Sequence, residues 1–281
     1  IQPEHIICGN GAADLIFRTV FAAKPKKALL LAPTFSEYEK ALSAAGCEIN
    51  FYALKEENDF ALGDDYINVL EGGYDIVFLC SPNNPTGGEL SEQCLLEIVT
   101  RCKRLGILPV IDMSFADFSE NTVSANVLAE AGAAVIKAFT KIYAMPALRL
   151  GYMLCCDEEL LGKVSLAGQS WSVNSLAQAA GAAALDDSDF IGRTVEYISR
   201  ERRFLTEKFG AMGIKTYPAA ANFILLKSEH DLADIAMESG IALRRCENFC
   251  GLDGSFFRTA VRSHEDNIEL VMALERGLLN G

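Results

Sequence analysis

A chain of 281 residues, half of them hydrophobic, can bury a large core and form one big domain with a smaller one beside it. Its net charge of −13 argues against nucleic acid, whose binding needs basic patches. No apolar run approaches a membrane span and the N-terminus carries no signal-peptide pattern, so a cytoplasmic protein is expected. Nine cysteines at scattered positions, such as Cys80, Cys155 and Cys156, read as small buried hydrophobes in a reducing compartment. Cys246 and Cys250 are too isolated for zinc, and His5, His230 and His264 show no ligand spacing, so no metal is expected.

Short apolar runs alternate with amphipathic segments, which predicts βα units around a mostly parallel sheet. In chain order, a strand at 5–8 leads to a helix over 12–21, then a strand at 28–31 and a helix over 36–45. Strands follow at 48–52 and 76–80, a helix over 91–105, and strands at 108–111, 134–138 and 151–155. A long helical stretch covers 174–212, with Asp186-Asp187-Ser188-Asp189-Phe190 as a break within it. The register then changes: strands at 221–226, 241–245 and 257–261 are separated by helices near 231–239 and 265–279. The expected organisation is a large α/β domain over 1–185 and a small α+β domain over 186–281.

Three segments carry the chemistry. The apolar run 75–80 ends in Pro82-Asn83-Asn84-Pro85-Thr86-Gly87-Gly88, which sets polar side chains at the carboxyl edge of a sheet, where α/β proteins bind ligands. The next buried strand ends on a single acid, Asp112, suited to pair with a protonated ring nitrogen. A third apolar run precedes Lys141, with Arg149 eight positions on. A lysine beside an apolar wall has a lowered pKa and can form an imine, and a guanidinium suits a phosphate. One aldehyde and one phosphate are what pyridoxal phosphate (PLP) presents. Each segment alone also fits a plainer role: a surface cation, an ordinary turn, a loop acid. Their joint order does not.

On these residues the chain resembles the class I/II aminotransferase family of fold-type I PLP enzymes. The resemblance implies the aspartate aminotransferase-like fold of PLP-dependent transferases and a homodimer. It makes Lys141 the Schiff-base lysine and proton shuttle, Asp112 the partner of the pyridinium, Asn84 a donor to the phenolic oxygen and Arg149 the phosphate clamp, with Thr140 beside the lysine. Gly11, Ala12 and Ala13 match the family's phosphate loop at a helix start, and Phe35 matches the aromatic that stacks on the ring. Arg258, in Phe256-Phe257-Arg258-Thr259, matches the arginine that holds the substrate carboxylate. Phe115 stands where many members have a tyrosine, and Ala138 replaces a hydroxyl residue; the first change implies a higher imine pKa.

The segments 170–174 and 241–252, together with Phe115, resemble the branch formed by threonine-phosphate decarboxylases and their relatives, the histidinol-phosphate aminotransferases. That likeness implies a phosphorylated amino acid or amine as substrate, and makes Arg244 a candidate for its phosphate. Decarboxylation of O-phospho-L-threonine leads, and transamination of histidinol phosphate is the alternative. A non-catalytic PLP-binding protein is the alternative of another class. The family pattern also begins upstream of Ile1, with an active-site arm that the resemblance implies is missing here.

Overall fold

The computed structural model describes residues 1–121 and 123–280, with the side chain of residue 280 left aside. Seven strands form the larger sheet: β1 (Ile6–Gly9), β2 (Lys27–Ala32), β3 (Glu48–Ala53), β4 (Ile76–Cys80), β5 (Leu108–Asp112), β6 (Ala134–Ala138) and β7 (Gly151–Leu154). Their spatial order is β1-β7-β6-β5-β4-β2-β3. The five strands from β6 to β3 pair in parallel, while β7 runs antiparallel to both β6 and β1. The interior strand β4 is buried at every position, which is why it reads as an unbroken apolar run rather than an alternation.

Helices α1 (Ala12–Ala23), α2 (Ser36–Ala44), α3 (Tyr66–Val69), α4 (Glu92–Leu105), α5 (Ala125–Ala131), α6 (Phe139–Ile142), α7 (Glu158–Leu166) and α8 (Ser175–Asp186) connect or follow these strands. The sequence signals of α4 are complete. The Ser91 hydroxyl accepts from the Cys94 N–H at 3.2 Å, Leu95, Ile98, Val99 and Cys102 form one buried stripe, and Gly106 ends the helix in the left-handed region. Two cores result, one on each face of the sheet: Leu79, Ile98 and Ile111 belong to one, and Leu30, Phe78 and Ile136 to the other.

The expected break after α8 is present, and α9 (Phe190–Ala211) follows it. A four-stranded antiparallel sheet comes next, from β8 (Lys215–Thr216), β9 (Phe223–Lys227), β10 (Arg244–Arg245) and β11 (Phe256–Ala260), in the order β10-β11-β9-β8. Helices α10 (Leu232–Met237) and α11 (His264–Asn280) complete this part. Its core, with Leu205, Phe209, Ile224 and Leu274, also takes in Phe115, Phe118 and Ile142 from the other side. The small sheet is therefore packed directly against the segments that follow β5 and β6.

Among the described residues no helix is long and apolar enough to cross a membrane.

Candidate active site

Parallel strands end on the same edge, so the residues that follow β2, β4, β5 and β6 meet there. Phe35 caps the start of α2, Asn84 lies beyond β4, Asp112 is the last residue of β5, and Lys141 sits in α6 just after β6. Around one cavity the structure brings together Phe35, Asn84, Asp112 and Lys141 with Ala12, Ala13, Thr140 and Arg149. Gly11 belongs to the same wall, because a Cβ built on it would lie 2.5 Å from Arg149 Nη2. A larger hollow of about 530 Å³ opens on the other side of the Asn83–Gly88 loop. Its lining holds Asp59 and Glu89 but no lysine or arginine, which makes it a poor host for an anion.

The two asparagines of the loop have separate duties. Asn83 is a fastener: its Oδ1 accepts from Thr34 Oγ1 at 2.8 Å, and its Nδ2 donates to Pro33 O and Thr86 Oγ1, both at 3.0 Å. Asn84 is left to face the cavity, where its Oδ1 accepts from the Arg258 guanidinium. Arg258 also lies over the Phe223 ring, 5.0 Å from its centroid, and Phe223 meets Phe115 edge-on at 5.0 Å. Lys141 Nζ is 5.3 Å from the Phe115 centroid on the other side. Each of the two cations thus lies against one ring of an edge-on aromatic pair.

Burial, reinforced by the charges of Arg258 and Arg149, holds the Lys141 ammonium below the ordinary lysine range, with Asp112 pulling the other way. Burial raises Asp112 above the usual carboxylate range, opposed by hydrogen bonds from Ser114 and Tyr38 and by the Lys141 charge. Arg258 is lowered by burial and by the neighbouring Arg244 charge, which the Cys246 side chain opposes. Arg149 itself sits at φ 58°, a left-handed conformation that a side chain adopts at a cost of about 1–3 kcal/mol. It donates from Nη1 to Pro146 O at 3.0 Å, which aims the guanidinium at the start of α1.

Arg244 does not line this cavity, but it is registered directly opposite Arg258 in the β10–β11 pair, so the two side chains share one face of the small sheet. It is exposed and donates from Nη2 to Asn248 Oδ1 at 2.8 Å. Sequence patterns did not single out Tyr38 or Ser114, both of which contact Asp112. Tyr38 reads as a core aromatic of α2, and Ser114 as an ordinary turn residue.

The wall fits PLP on two observations. The Ser114 hydroxyl is buried at the cavity beside Asp112 with no well-formed hydrogen bond among the described residues, which leaves it able to meet a polar group of an occupant. Gly11, at φ 84°, leaves its side-chain space to Arg149, and the first N–H groups of α1 lie beside that guanidinium. A guanidinium at a helix N-terminus is a phosphate donor set.

A family model for aminotransferase class I and II matches residues 1–274. The chain belongs to the class I and II aminotransferase family. It is an enzyme of that PLP-dependent family, whose members include both decarboxylases and aminotransferases. Threonine-phosphate decarboxylase from Salmonella typhimurium is 36% identical over 288 residues, spanning 100% of this chain and 79% of the relative. Histidinol-phosphate aminotransferase from Methanosarcina mazei is 31% identical, over 95% of this chain and 71% of the relative. Among solved structures, the histidinol-phosphate aminotransferase from Clostridium acetobutylicum superimposes with a TM-score of 0.92 at 28% identity, covering 99% of this chain and 84% of that one. A decarboxylase from Sulfurospirillum multivorans gives 0.90 at 28% identity, covering 99% and 83%. The expected aspartate aminotransferase-like fold is therefore the fold of this chain.

Proposed function

We propose that the enzyme decarboxylates O-phospho-L-threonine to aminopropanol phosphate, with PLP held by Lys141, Asp112, Asn84, Arg149 and the Gly11–Ala13 loop. The observation that carries the substrate class is the Arg244–Arg258 pair. Two guanidinium groups stand directly opposite each other on neighbouring strands, and neither has a carboxylate partner among the described residues. Like charges so placed repel unless an anion joins them. Their neighbour Arg245, on the other face, is fully engaged with Asp231 at 2.5 Å and Asp234 at 2.7 Å. A substrate bearing a carboxylate and a phosphate satisfies both free guanidiniums, the carboxylate on Arg258 and the phosphate on Arg244. The 36% identity to a threonine-phosphate decarboxylase supports the same choice.

PLP, when bound, supplies an electron sink for the bond that breaks at the substrate's Cα. The protein's residues do the rest. Asp112 holds positive charge on the ring nitrogen from a dry site. Asn84 donates to the phenolic oxygen while its Oδ1 stays on Arg258, so the cofactor and the carboxylate-binding residue share one anchor. Phe35 covers the ring, Thr140 and Arg149 hold the phosphate, and Lys141, kept neutral more easily by its neighbours, returns a proton to Cα. Whether CO₂ or a proton would leave depends on how Arg258 and Arg244 would orient the substrate's Cα substituents.

Histidinol-phosphate transamination is the second reading, supported by the 31% identical relative and by the structure with a TM-score of 0.92. The enzyme loaded with PLP is incubated with O-phospho-L-threonine and no keto-acid acceptor, and its products are weighed by mass spectrometry. Catalytic release of aminopropanol phosphate is expected. Turnover confined to histidinol phosphate with 2-oxoglutarate would establish the aminotransferase instead.

The proposal includes a large domain over 1–185, a small one over 186–281, and a cytoplasmic homodimer. Free thiols at all nine cysteines support a reducing compartment, and Trp171 (97% exposed) and Leu166 (87%) support a covered face on the α7–α8 side. Light scattering that gives a monomer would remove the dimer from it.

A further inference from the structure

Asp112 is gripped from both sides. Its Oδ2 accepts from the Tyr38 hydroxyl at 2.7 Å, and its Oδ1 accepts from the Ser114 N–H at 2.9 Å. Tyr38 is itself wholly buried. Its ring stacks on Phe78 at 4.9 Å with an interplanar angle of 16°, and Phe35 meets its edge at 5.6 Å. The hydroxyl meets the carboxylate from a ring with no solvent-accessible surface. Burial and the Asp112 charge hold the tyrosine's own pKa well above its ordinary value, so the hydroxyl keeps its proton and acts as the donor.

We propose that Tyr38 is a positioning residue that acts through Asp112: it keeps the carboxylate ionised and turned to the cavity, and so sets the site's preference for a ring bearing a protonated nitrogen. The proposal rests on the PLP reading above. An ionised carboxylate has about four acceptor positions, of which these two donors take one on each oxygen. The remaining positions face the cavity that Asp112 lines. The titratable groups around it are Tyr38 from α2, Cys80 at the end of β4 and Lys141 from α6. Burial of the Cys80 thiol pushes it up, which keeps it neutral. Without the Tyr38 donor, desolvation acts on Asp112 with only Ser114 and Lys141 against it, and the carboxyl group moves toward its neutral form. A neutral carboxyl gives no charge pairing to a pyridinium. Removing the partner that orients a binding group commonly costs roughly 10–100-fold in affinity or activity in metal sites.

The test compares two probes, PLP and its deaza analogue, in which CH replaces the ring nitrogen. Both carry the aldehyde and the phosphate, but only PLP can use Asp112. Equilibrium dialysis with absorbance detection gives the ratio of their dissociation constants for wild type, Tyr38→Phe, Asp112→Asn and the double variant. Wild type is expected to prefer PLP, Tyr38→Phe to narrow that preference about tenfold with the analogue's affinity unchanged, and Tyr38→Phe to do nothing further in the Asp112→Asn background. Equal weakening of both probes, or a narrowing that persists with Asn at 112, overturns the proposal by giving Tyr38 a merely structural role. Should Tyr38→Phe fail to fold, 4-aminophenylalanine at position 38 keeps the ring and a donor. It is expected to retain the preference, and loss of the preference there overturns the proposal equally. Wild-type protein that binds neither probe would overturn the PLP reading and this proposal with it, whereas an unchanged preference in Tyr38→Phe overturns this proposal alone.

Discussion

Asn84 and Arg258 are joined by a hydrogen bond although 174 positions separate them, one following β4 of the large sheet and the other within β11 of the small one. The bond makes the arginine proposed to hold the substrate carboxylate a direct neighbour of the proposed cofactor wall. Replacing Arg258 with Gln removes a charge that the site desolvates. The expected result is a fall of roughly a hundredfold in kcat/KM for O-phospho-L-threonine, carried mainly by KM, since a hydrogen-bonded buried charge is worth about 2–5 kcal/mol. Steady-state kinetics check it. An unchanged KM would take Arg258 out of substrate binding.

The position of Lys141 among positive charges sets a pH dependence. Only the deprotonated amine is a nucleophile, so capture of free PLP should accelerate as pH rises through the Lys141 pKa. That midpoint should lie below the ordinary value of 10.5, because burial, Arg258 and Arg149 all disfavour the charged form. Arg149→Gln removes one of those charges, so the ammonium becomes easier to keep and the midpoint moves up. Stopped-flow absorbance from neutral to alkaline pH reads both, and a midpoint unmoved by the substitution would contradict the assignment.

Glu56, in the turn after β3, holds the small sheet through three donors. Its Oε1 accepts from Tyr217 at 2.8 Å and Lys215 at 3.0 Å, and its Oε2 from Lys227 at 2.6 Å. The hydrogen bond from Lys227, aided by the other two against partial burial, brings its pKa from 4.5 to about 2. A carboxylate whose pKa is depressed on folding stabilises the protein above its unfolded value, and that contribution is lost as pH falls. Glu56→Gln should cost about 1 kcal/mol at neutral pH, allowing for solvent screening. The difference between the two proteins should shrink as pH drops from 4.5 toward 2. Urea melts at several pH values test this, and a gap independent of pH would argue against an ionic contribution.

Gly11 offers a probe of the proposed phosphate cradle. At φ 84° a side chain strains the backbone, and its Cβ would meet Arg149 Nη2 at 2.5 Å. Gly11→Ala should therefore weaken PLP binding by at least tenfold while leaving the affinity for phosphate-free pyridoxal nearly unchanged. Parallel losses for the two ligands would show that the loop does not hold the phosphate.

Much of this was legible in the chain. The end of β5 on Asp112 and the placing of Lys141 just past β6 follow from apolar runs that stop at a polar residue, and buried parallel strands produce such runs. Short amphipathic helices were harder to see: α7 buries only Leu160, Leu161 and Val164, too brief a stripe to stand out from a loop. The strand expected at 241–245 shrinks to Arg244–Arg245, because only those two residues find partners on β11. Of Asn83 and Asn84 the family resemblance picks Asn84 for the site, while the structural duty of Asn83 shows only in its tertiary contacts with Thr34 and Pro33. Tyr38 was hidden for the opposite reason. Its spacing suits the buried face of α2, and nothing local reveals that its hydroxyl ends on a strand 74 positions away.

Gly151 begins β7 at a point where a single methyl group would find Ala12 N at 2.7 Å, Gly11 C at 2.8 Å and Lys137 O at 3.1 Å. Three stretches of bare backbone therefore converge there: the loop before α1, the end of β6, and the strand that leaves Arg149. The proposed anion cradle is a vault closed by a missing side chain. Because its ribs already touch, a phosphate bound there as proposed would find its donors in place and lose little free energy to ordering them.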